Sequence, residues 1–238
     1  GDHRDLHSFP TRRSSDLWGY VTGGILQEGD FDGVGANGKP LYHGPYFKGG
    51  QAYPGYIWYQ DLDHDGVITT GLNTVDDPGD RKVIGNNAPR YRYNITANFQ
   101  YKGFDLDLMF QGVGKRDYWL SSTSSYWGNG AGSWEVYNNS WTPERTDAKF
   151  PMYGSGTGSY PQTGYLLDAS YIKLKQVILG YTFPRTLINK IGLEKLRLNL
   201  AAYNLFTISD MPKYYDADYL SDAYPPKRTF SVGIQVGF

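Results

Sequence analysis

From Tyr91 to Tyr101 the chain alternates apolar and polar positions without a break. Tyr91, Tyr93, Ile95, Ala97, Phe99 and Tyr101 fall on one side; Arg92, Asn94, Thr96, Asn98 and Gln100 fall on the other. Successive side chains of a strand point to opposite faces, so this run predicts a strand with one apolar and one polar face. Lys102-Gly103 reads as a tight turn, and 104–112 alternates again with Phe104, Leu106, Leu108 and Phe110 against Asp105, Asp107 and Gln111, which completes a hairpin. Three further strands are predicted. Residues 169–183 begin with Ile172 and Leu174 opposite Lys173 and Lys175, then change phase to Val177, Leu179, Tyr181 and Phe183, so a bulge is expected near Gln176. Residues 196–206 and 229–238 alternate throughout, the latter through Phe230, Val232, Ile234, Val236 and Phe238.

The connections between these strands are unequal. The first is two residues, the second the long stretch 113–167. The third is short, with a single helical turn expected over 186–191 that Gly192 stops; the fourth is the longer stretch 207–226. Short turns at one end and long loops at the other are the pattern of outer-membrane barrels, and each strand has about the length that crosses a bilayer when tilted. Alternation by itself fits any antiparallel sheet with one wet face. The phenylalanine at position 238 on an amphipathic final strand favours the barrel, because Phe230, Val232, Ile234, Val236 and Phe238 form the kind of signal read by the barrel assembly machinery. The expected fold class is therefore all-β and antiparallel, the C-terminal strands of a large transmembrane barrel. Five strands cannot close, and an edge open to lipid would leave backbone groups unpaired, so the chain reads as part of something larger.

Composition sharpens this picture. The 238 residues include 30 Gly and 22 Tyr, a surplus that favours strands and turns over helices. With 23 Lys+Arg against 24 Asp+Glu the charge is near neutral, which argues against a nucleic-acid partner. The absence of cysteine removes disulfides and thiolate chemistry. Residues 1–17 (GDHRDLHSFPTRRSSDL) share nothing with the rest of the chain and match an in-frame translation of a common sequencing adapter. They are set aside as non-native, with the gene expected to extend upstream of Trp18.

Two motifs invite chemistry. Asp61-x-Asp63-x-Asp65-Gly66 has the spacing of the first half of a calcium loop, with Val67 positioned to offer its carbonyl. The twelfth position is Leu72 instead of Glu, so Asp76, Asp77 or Asp80 would have to supply the missing ligand; otherwise the turn is satisfied by its own amides. The second motif is aromatic. Trp119, Tyr126, Trp127, Trp134 and Trp141, with Tyr118 and Tyr137, sit among Gly and Ser in the long connection, where flat rings would stack on a substrate or pack the loop itself. Gly33-Val34-Gly35-Ala36-Asn37-Gly38-Lys39 has the glycine spacing of a phosphate loop, but Pro40 and the lack of a following helix exclude nucleotide binding. No catalytic constellation is evident, and no enzyme is expected.

Nine pieces occur in the order of one family. These are Gly19-Tyr20-Val21-Thr22 with Gly24-Ile25; Pro54-Gly55-Tyr56-Ile57 leading into Asp61-Leu62-Asp63-His64-Asp65-Gly66-Val67-Ile68; Asp80-Arg81-Lys82-Val83-Ile84-Gly85-Asn86; Tyr101-Lys102-Gly103-Phe104-Asp105-Leu106; and Trp141-Thr142-Pro143-Glu144. Further along come Ser170-Tyr171-Ile172-Lys173-Leu174, Leu179-Gly180-Tyr181-Thr182-Phe183-Pro184, Asn204-Leu205-Phe206-Thr207 and Pro225-Pro226-Lys227-Arg228-Thr229-Phe230-Ser231. Residues 18–238 thus resemble the C-terminal part of the SusC/RagA family of TonB-linked outer-membrane transporters. The resemblance implies a plugged barrel of roughly 22 strands, import of oligosaccharides or oligopeptides under a SusD-like lipoprotein, and energy delivered by TonB through a region outside this chain. It divides the sequence into 18–90, an extracellular region with the Asp-rich turn, and 91–238, five strands with extracellular loops 113–167 and 207–226. Polar-face Arg92, Asp105, Asp107, Lys173 and Arg197 would line the lumen. The competing expectation is a secreted aromatic-rich β-sandwich that binds glycans, in which the apolar faces would be buried.

Overall fold

The computed structural model describes residues 14–119, 134–212, 215–220 and 226–238. They form two compact units: 14–88 with 118–119 and 134–167 in the first, and 89–117 with 168–212, 215–220 and 226–238 in the second.

The first unit carries short strands: β1 (Asp16–Tyr20), β2 (Thr22–Ile25), β3 (Tyr46–Phe47), β4 (Ile57–Tyr59), β5 (Val67–Ile68) and β6 (Arg81–Asn86). β1 pairs with β6 and β2 with β4, both antiparallel, while β3 and β5 are parallel. β1 begins inside the segment read as non-native, and its register slips between Leu17 and Trp18, at that boundary. Tyr20, Ile57, Tyr59 and Ile68 form the core, with Phe47 and Tyr165 packed on it. The rings meet mostly edge to face, Tyr20 on Phe47 at 5.5 Å and Phe47 on Tyr59 at 5.6 Å, the arrangement that ring quadrupoles favour. Residues from the long connection complete this unit. Phe150 is fully buried and stacks on Tyr165 at 5.8 Å, and the short helix α1 (Trp134–Asn138) contributes buried Val136. Most of the described part of 113–167 therefore folds together with 14–88, where the sequence suggested one long loop.

A polar clasp joins the two segments of this unit. Gln162 is fully buried; its amide nitrogen donates to the Tyr59 hydroxyl at 3.1 Å and to the Tyr160 carbonyl at 3.1 Å, and its oxygen accepts from the Thr22 hydroxyl at 3.0 Å. Tyr59 donates to the Thr157 carbonyl at 2.6 Å. Buried polar groups are tolerated when paired in this way, and removal of one partner strands the others.

The second unit is a five-stranded antiparallel sheet. It comprises β7 (Tyr91–Tyr101), β8 (Phe104–Gly114), β11 (Tyr171–Thr182), β12 (Lys195–Ser209) and β13 (Thr229–Gly237), in the spatial order β13-β12-β11-β8-β7; the two-residue strands β9 (Asp117–Tyr118) and β10 (Leu167–Asp168) precede β11 in the chain. The β7–β8 turn has Lys102 at φ 46° and Gly103 at φ 88°, the left-handed pair that a two-residue hairpin requires. The expected phase slip is a bulge: the register shifts between Leu174 and Gln176 against both neighbours, with Lys175 the extra residue against β8, while against β12 Asn204 and Leu205 stand opposite Lys175 and Asn204 takes φ 54°. The helical turn is α2 (Arg185–Ile188), continued by a 3-10 turn over Asn189–Ile191 and ended by Gly192 at φ 73°.

Register aligns like with like across the sheet. Phe99, Leu106, Leu179, Leu200 and Val232 stand in one row, and Tyr101, Phe104, Tyr181, Leu198 and Ile234 in another. Directly paired residues share a face, so these rows make one apolar surface. Among the described residues it is not tucked away: Tyr91, Ile95, Phe99, Leu198 and Ile234 are exposed, Leu106 and Leu108 are half-buried, and Val232 is 75% exposed. A sandwich would have hidden these side chains between two sheets.

Candidate functional site

The face opposite the apolar rows is polar and cross-linked. Asp105, Gly180 and Asn199 are paired in one row, and the Arg197 guanidinium reaches Asp105 at 2.6 Å across the intervening strand. A Cβ on Gly180 would lie 2.5 Å from both the Arg197 nitrogen and the Asp105 oxygen, so the glycine leaves the gap through which this ion pair passes. Asp107 accepts a hydrogen bond from the Asn98 side chain on the neighbouring strand.

At the other end of β11 the connection between β12 and β13 folds against the same strand. Lys173 is buried; its ammonium donates to Asp216 at 2.8 and 3.1 Å and lies 3.5 Å from Asp218. Lys175 pairs with Asp218 at 2.7 Å, the Tyr171 hydroxyl donates to Asp218 at 2.5 Å, and Gln111 donates to both Tyr171 (3.0 Å) and Asp218 (3.2 Å). Desolvation pushes the Asp218 carboxyl up, but the hydrogen bonds from Lys175 and Tyr171 and the charges of both lysines outweigh it and hold it below the ordinary carboxylate value. This network fixes 215–220 to the sheet and lines a cavity of about 460 Å³ that also includes Asn204, Tyr215 and Arg228. The sequence placed Lys173 on the polar face but carried no signal for its two aspartate partners.

The Asp-rich turn lies in the first unit. Asp61, Asp63 and Asp65 bring one carboxylate oxygen each within 4.8 Å of one another. Asp61 accepts amide hydrogen bonds from His64 at 2.7 Å and Gly66 at 2.8 Å; Asp63 accepts from Asp65 at 3.2 Å, and Asp65 from Val67 at 2.8 Å. Desolvation raises the Asp61 carboxyl, but these amides reverse the balance and hold it below its ordinary value. Asp63 moves the other way, raised by desolvation and by the negative charges of Asp80 and Asp65, against the pull of one amide. Asp80, a candidate for the missing ligand, is fully buried and has a different task. Its two oxygens accept from the amides of Leu62 at 2.7 Å and Thr69 at 2.7 Å, so it clasps the base of the loop. Val67 enters β5 directly after donating its amide to Asp65. Chemically the turn offers three converging oxygens with four amides already spent on them.

The aromatic candidates separate. Trp141 is 3% exposed, lies over Gly55 and donates its indole hydrogen to Gln27 at 2.9 Å, so its ring belongs to the interior of the first unit. Trp134 is 77% exposed and meets Tyr137 edge-on at 5.8 Å, and Tyr137 meets Tyr153 at 5.6 Å. Trp119 is half-buried, and Tyr126 and Trp127 lie outside the described residues. The glycine-rich segment at 33–39 folds back on itself through Leu41 to Gly33 and Gly35 to Lys39 hydrogen bonds, with no helix following.

No family model matches the chain. It is 31% identical over 239 aligned positions to the TonB-dependent receptor P3 of Formosa agariphila, covering 90% of this chain and 23% of that protein. It is 27% identical to the TonB-dependent receptor SusC of Bacteroides thetaiotaomicron over 77% of this chain and 19% of the relative. Among solved structures, the RagAB peptide importer in its open-open state aligns with a TM-score of 0.59 at 22% identity, over 93% of this chain and 22% of that one. The closed-closed state aligns with the same TM-score at 18% identity. The chain thus spans about a quarter of the length of the relatives it matches.

Proposed function

Starting from a chain similar in sequence and fold to about a quarter of a TonB-dependent receptor of the SusC/RagA type, we propose that it forms barrel wall and outer loops of an outer-membrane transporter. That transporter imports oligosaccharides or oligopeptides together with a SusD-like surface lipoprotein and draws energy from TonB. One observation carries this reading: five strands align their apolar side chains in register on a face that stays open. In water such a surface would aggregate or be covered; in hydrocarbon it is the required outer coat. The opposite face, crossed by the Asp105–Arg197 and Lys173–Asp216 pairs, suits a wet lumen. The exposed rings of Trp134 and Tyr137 suit contact with substrate or lipoprotein. The last strand, through Phe230, Val232, Ile234, Val236 and Phe238, supplies the pattern for the barrel assembly machinery.

The experiment is deletion of the complete receptor gene in the native host, with growth measured on defined oligosaccharides and peptides. Loss of growth on one class, restored by the intact gene, and copurification of a surface lipoprotein are expected. Unaltered growth on both classes, with the protein recovered outside the outer membrane, would overturn the proposal. A calcium ion held by Asp61, Asp63 and Asp65, with Val67 adjacent, is a subsidiary part of the reading, supported by the convergence of the three oxygens. Calcium is then expected to raise the melting temperature of the purified receptor, and Asp63→Ala to cancel the rise. Identical melts with calcium and with chelator would remove the metal from the proposal.

A further inference from the structure

The turn between β11 and β12 carries two apolar side chains that the protein itself leaves uncovered. Leu187 is 55% exposed and Ile191 is 67% exposed. Both belong to the one short turn, Leu187 to α2 and Ile191 to the 3-10 turn that continues it. The turn is not a loose flap. Ile188 between them is buried, the Ile188 carbonyl accepts from the Leu193 amide at 3.2 Å, and the Glu194 amide donates to the Gly237 carbonyl at 2.9 Å. The charges around the pair are mostly positive: Arg185, Lys190 and Lys195 against Glu194. Lys102 adds another from the neighbouring hairpin turn, which is tied on by the Thr182 amide donating to the Gly103 carbonyl at 2.8 Å.

The turn also continues the open apolar face. Tyr181, in the row with Phe104 and Ile234, contacts Phe104 at 4.4 Å and Phe183 at 4.8 Å, and Phe183 immediately precedes Pro184 and α2. A band of rings thus leads from the face assigned to hydrocarbon to the turn bearing Leu187 and Ile191. Amphipathic rings favour the membrane–water boundary, and an apolar pair flanked by cations is the composition of a segment that lies in that boundary, its apolar side among acyl chains and its cations on lipid phosphates.

We propose that this turn docks on a phospholipid leaflet, with Leu187 and Ile191 inserted below the headgroups and Arg185 and Lys190 on their phosphates. It would set the depth and tilt at which the sheet sits. The inference rests on the transmembrane reading of the sheet and adds a site outside the strands.

The test uses the full-length receptor in vesicles of phosphatidylethanolamine and phosphatidylglycerol. This chain has no cysteine; in a receptor whose remaining cysteines, if any, are replaced by serine, single thiols are introduced by Leu187→Cys, Ile191→Cys, Thr186→Cys, Asn189→Cys and Val232→Cys and labelled with bimane. The labels at 187 and 191 are expected to be quenched several-fold more by doxyl-bearing phospholipid than by aqueous iodide, and those at 186 and 189 the reverse. If the labels at 187 and 191 respond to iodide like those at 186 and 189, the docking proposal is wrong. Protection of 187 and 191 from both quenchers would mean that a protein covers the turn, which also overturns it. The label at 232 separates the two readings. Lipid quenching at 232 without lipid quenching at 187 and 191 sinks only the turn; absence of lipid quenching at 232 sinks the transmembrane reading as well.

Discussion

The two units use the same residue types in opposite ways. In the first, Phe150, Ile57 and Tyr59 are enclosed, and the hydroxyl of Tyr59 is caught between Thr157 and Gln162. In the second, Phe230, Val232 and Phe99 stand open on a flat face while the charged groups pair on the other side. The first unit has an interior of its own, closed by polar hydrogen bonds. The second leaves half of an interior's chemistry outward, to be completed by its surroundings. A hydrophobic residue thus says little about burial until the solvent it faces is specified.

This contrast can be broken most forcefully at paired phenylalanines. Phe150→Ala should cost about 4 kcal/mol and unfold the first unit at lower temperature, because a close-packed site cannot refill the space. Phe230→Ala, on the open face, should leave the melting of the first unit unchanged; differential scanning of the receptor resolves both. A comparable loss from both substitutions would show that the open face is packed after all.

A smaller effect is expected at the buried ammonium. Lys173→Met leaves Asp216 and Asp218 facing each other without their shared cation, and should destabilise the 215–220 segment by about 3 kcal/mol. Faster proteolysis there, with the strands still protected, is the expected result; unchanged cleavage would reduce the network to a surface ion pair.

The smallest effect is a pH dependence. The Asp218 carboxyl titrates lower when folded than when unfolded, so its contribution is complete above the ordinary carboxylate value, about pH 4, and fades as pH falls through the lower folded value. Proteolytic protection of 215–220 should therefore drop on acidification below about pH 4, and Asp218→Asn should flatten that dependence while lowering protection at neutral pH.

The sheet was readable because alternation is a local signal. The run 91–101 was expected as a strand and forms β7 with the same bounds, and the phase change at Gln176 located the bulge to within one residue. The first unit was not readable in this way. Its strands are two to six residues long, too short for a period, and its clasp joins Thr22 and Tyr59 to Gln162 from more than a hundred positions away. Trp141 looked like a loop aromatic because nothing nearby in sequence shows that Gly55 makes room for its ring. Asp80 resembled a spare ligand because its two amide partners, Leu62 and Thr69, become its neighbours only once the turn has closed. Asp216 and Asp218 sit in a stretch with no pattern at all, and their roles come from the lysines they meet.

Lys175 has an arithmetic consequence. Strand faces are a matter of parity, and this single inserted residue lets β11 offer Lys173 to one side near its start and still keep Leu179 and Tyr181 in the greasy rows further on. Excising Lys175 by itself would set Gln176 directly after Leu174 and remove the bulge against β8 with Leu179 still in the greasy rows, whereas excising one residue beyond it, such as Ile178, would swap odd for even along the rest of the strand, turning Gly180 toward oil and Leu179 toward water. Length variation is therefore expected to be free by one residue at the bulge and to come in even steps beyond it.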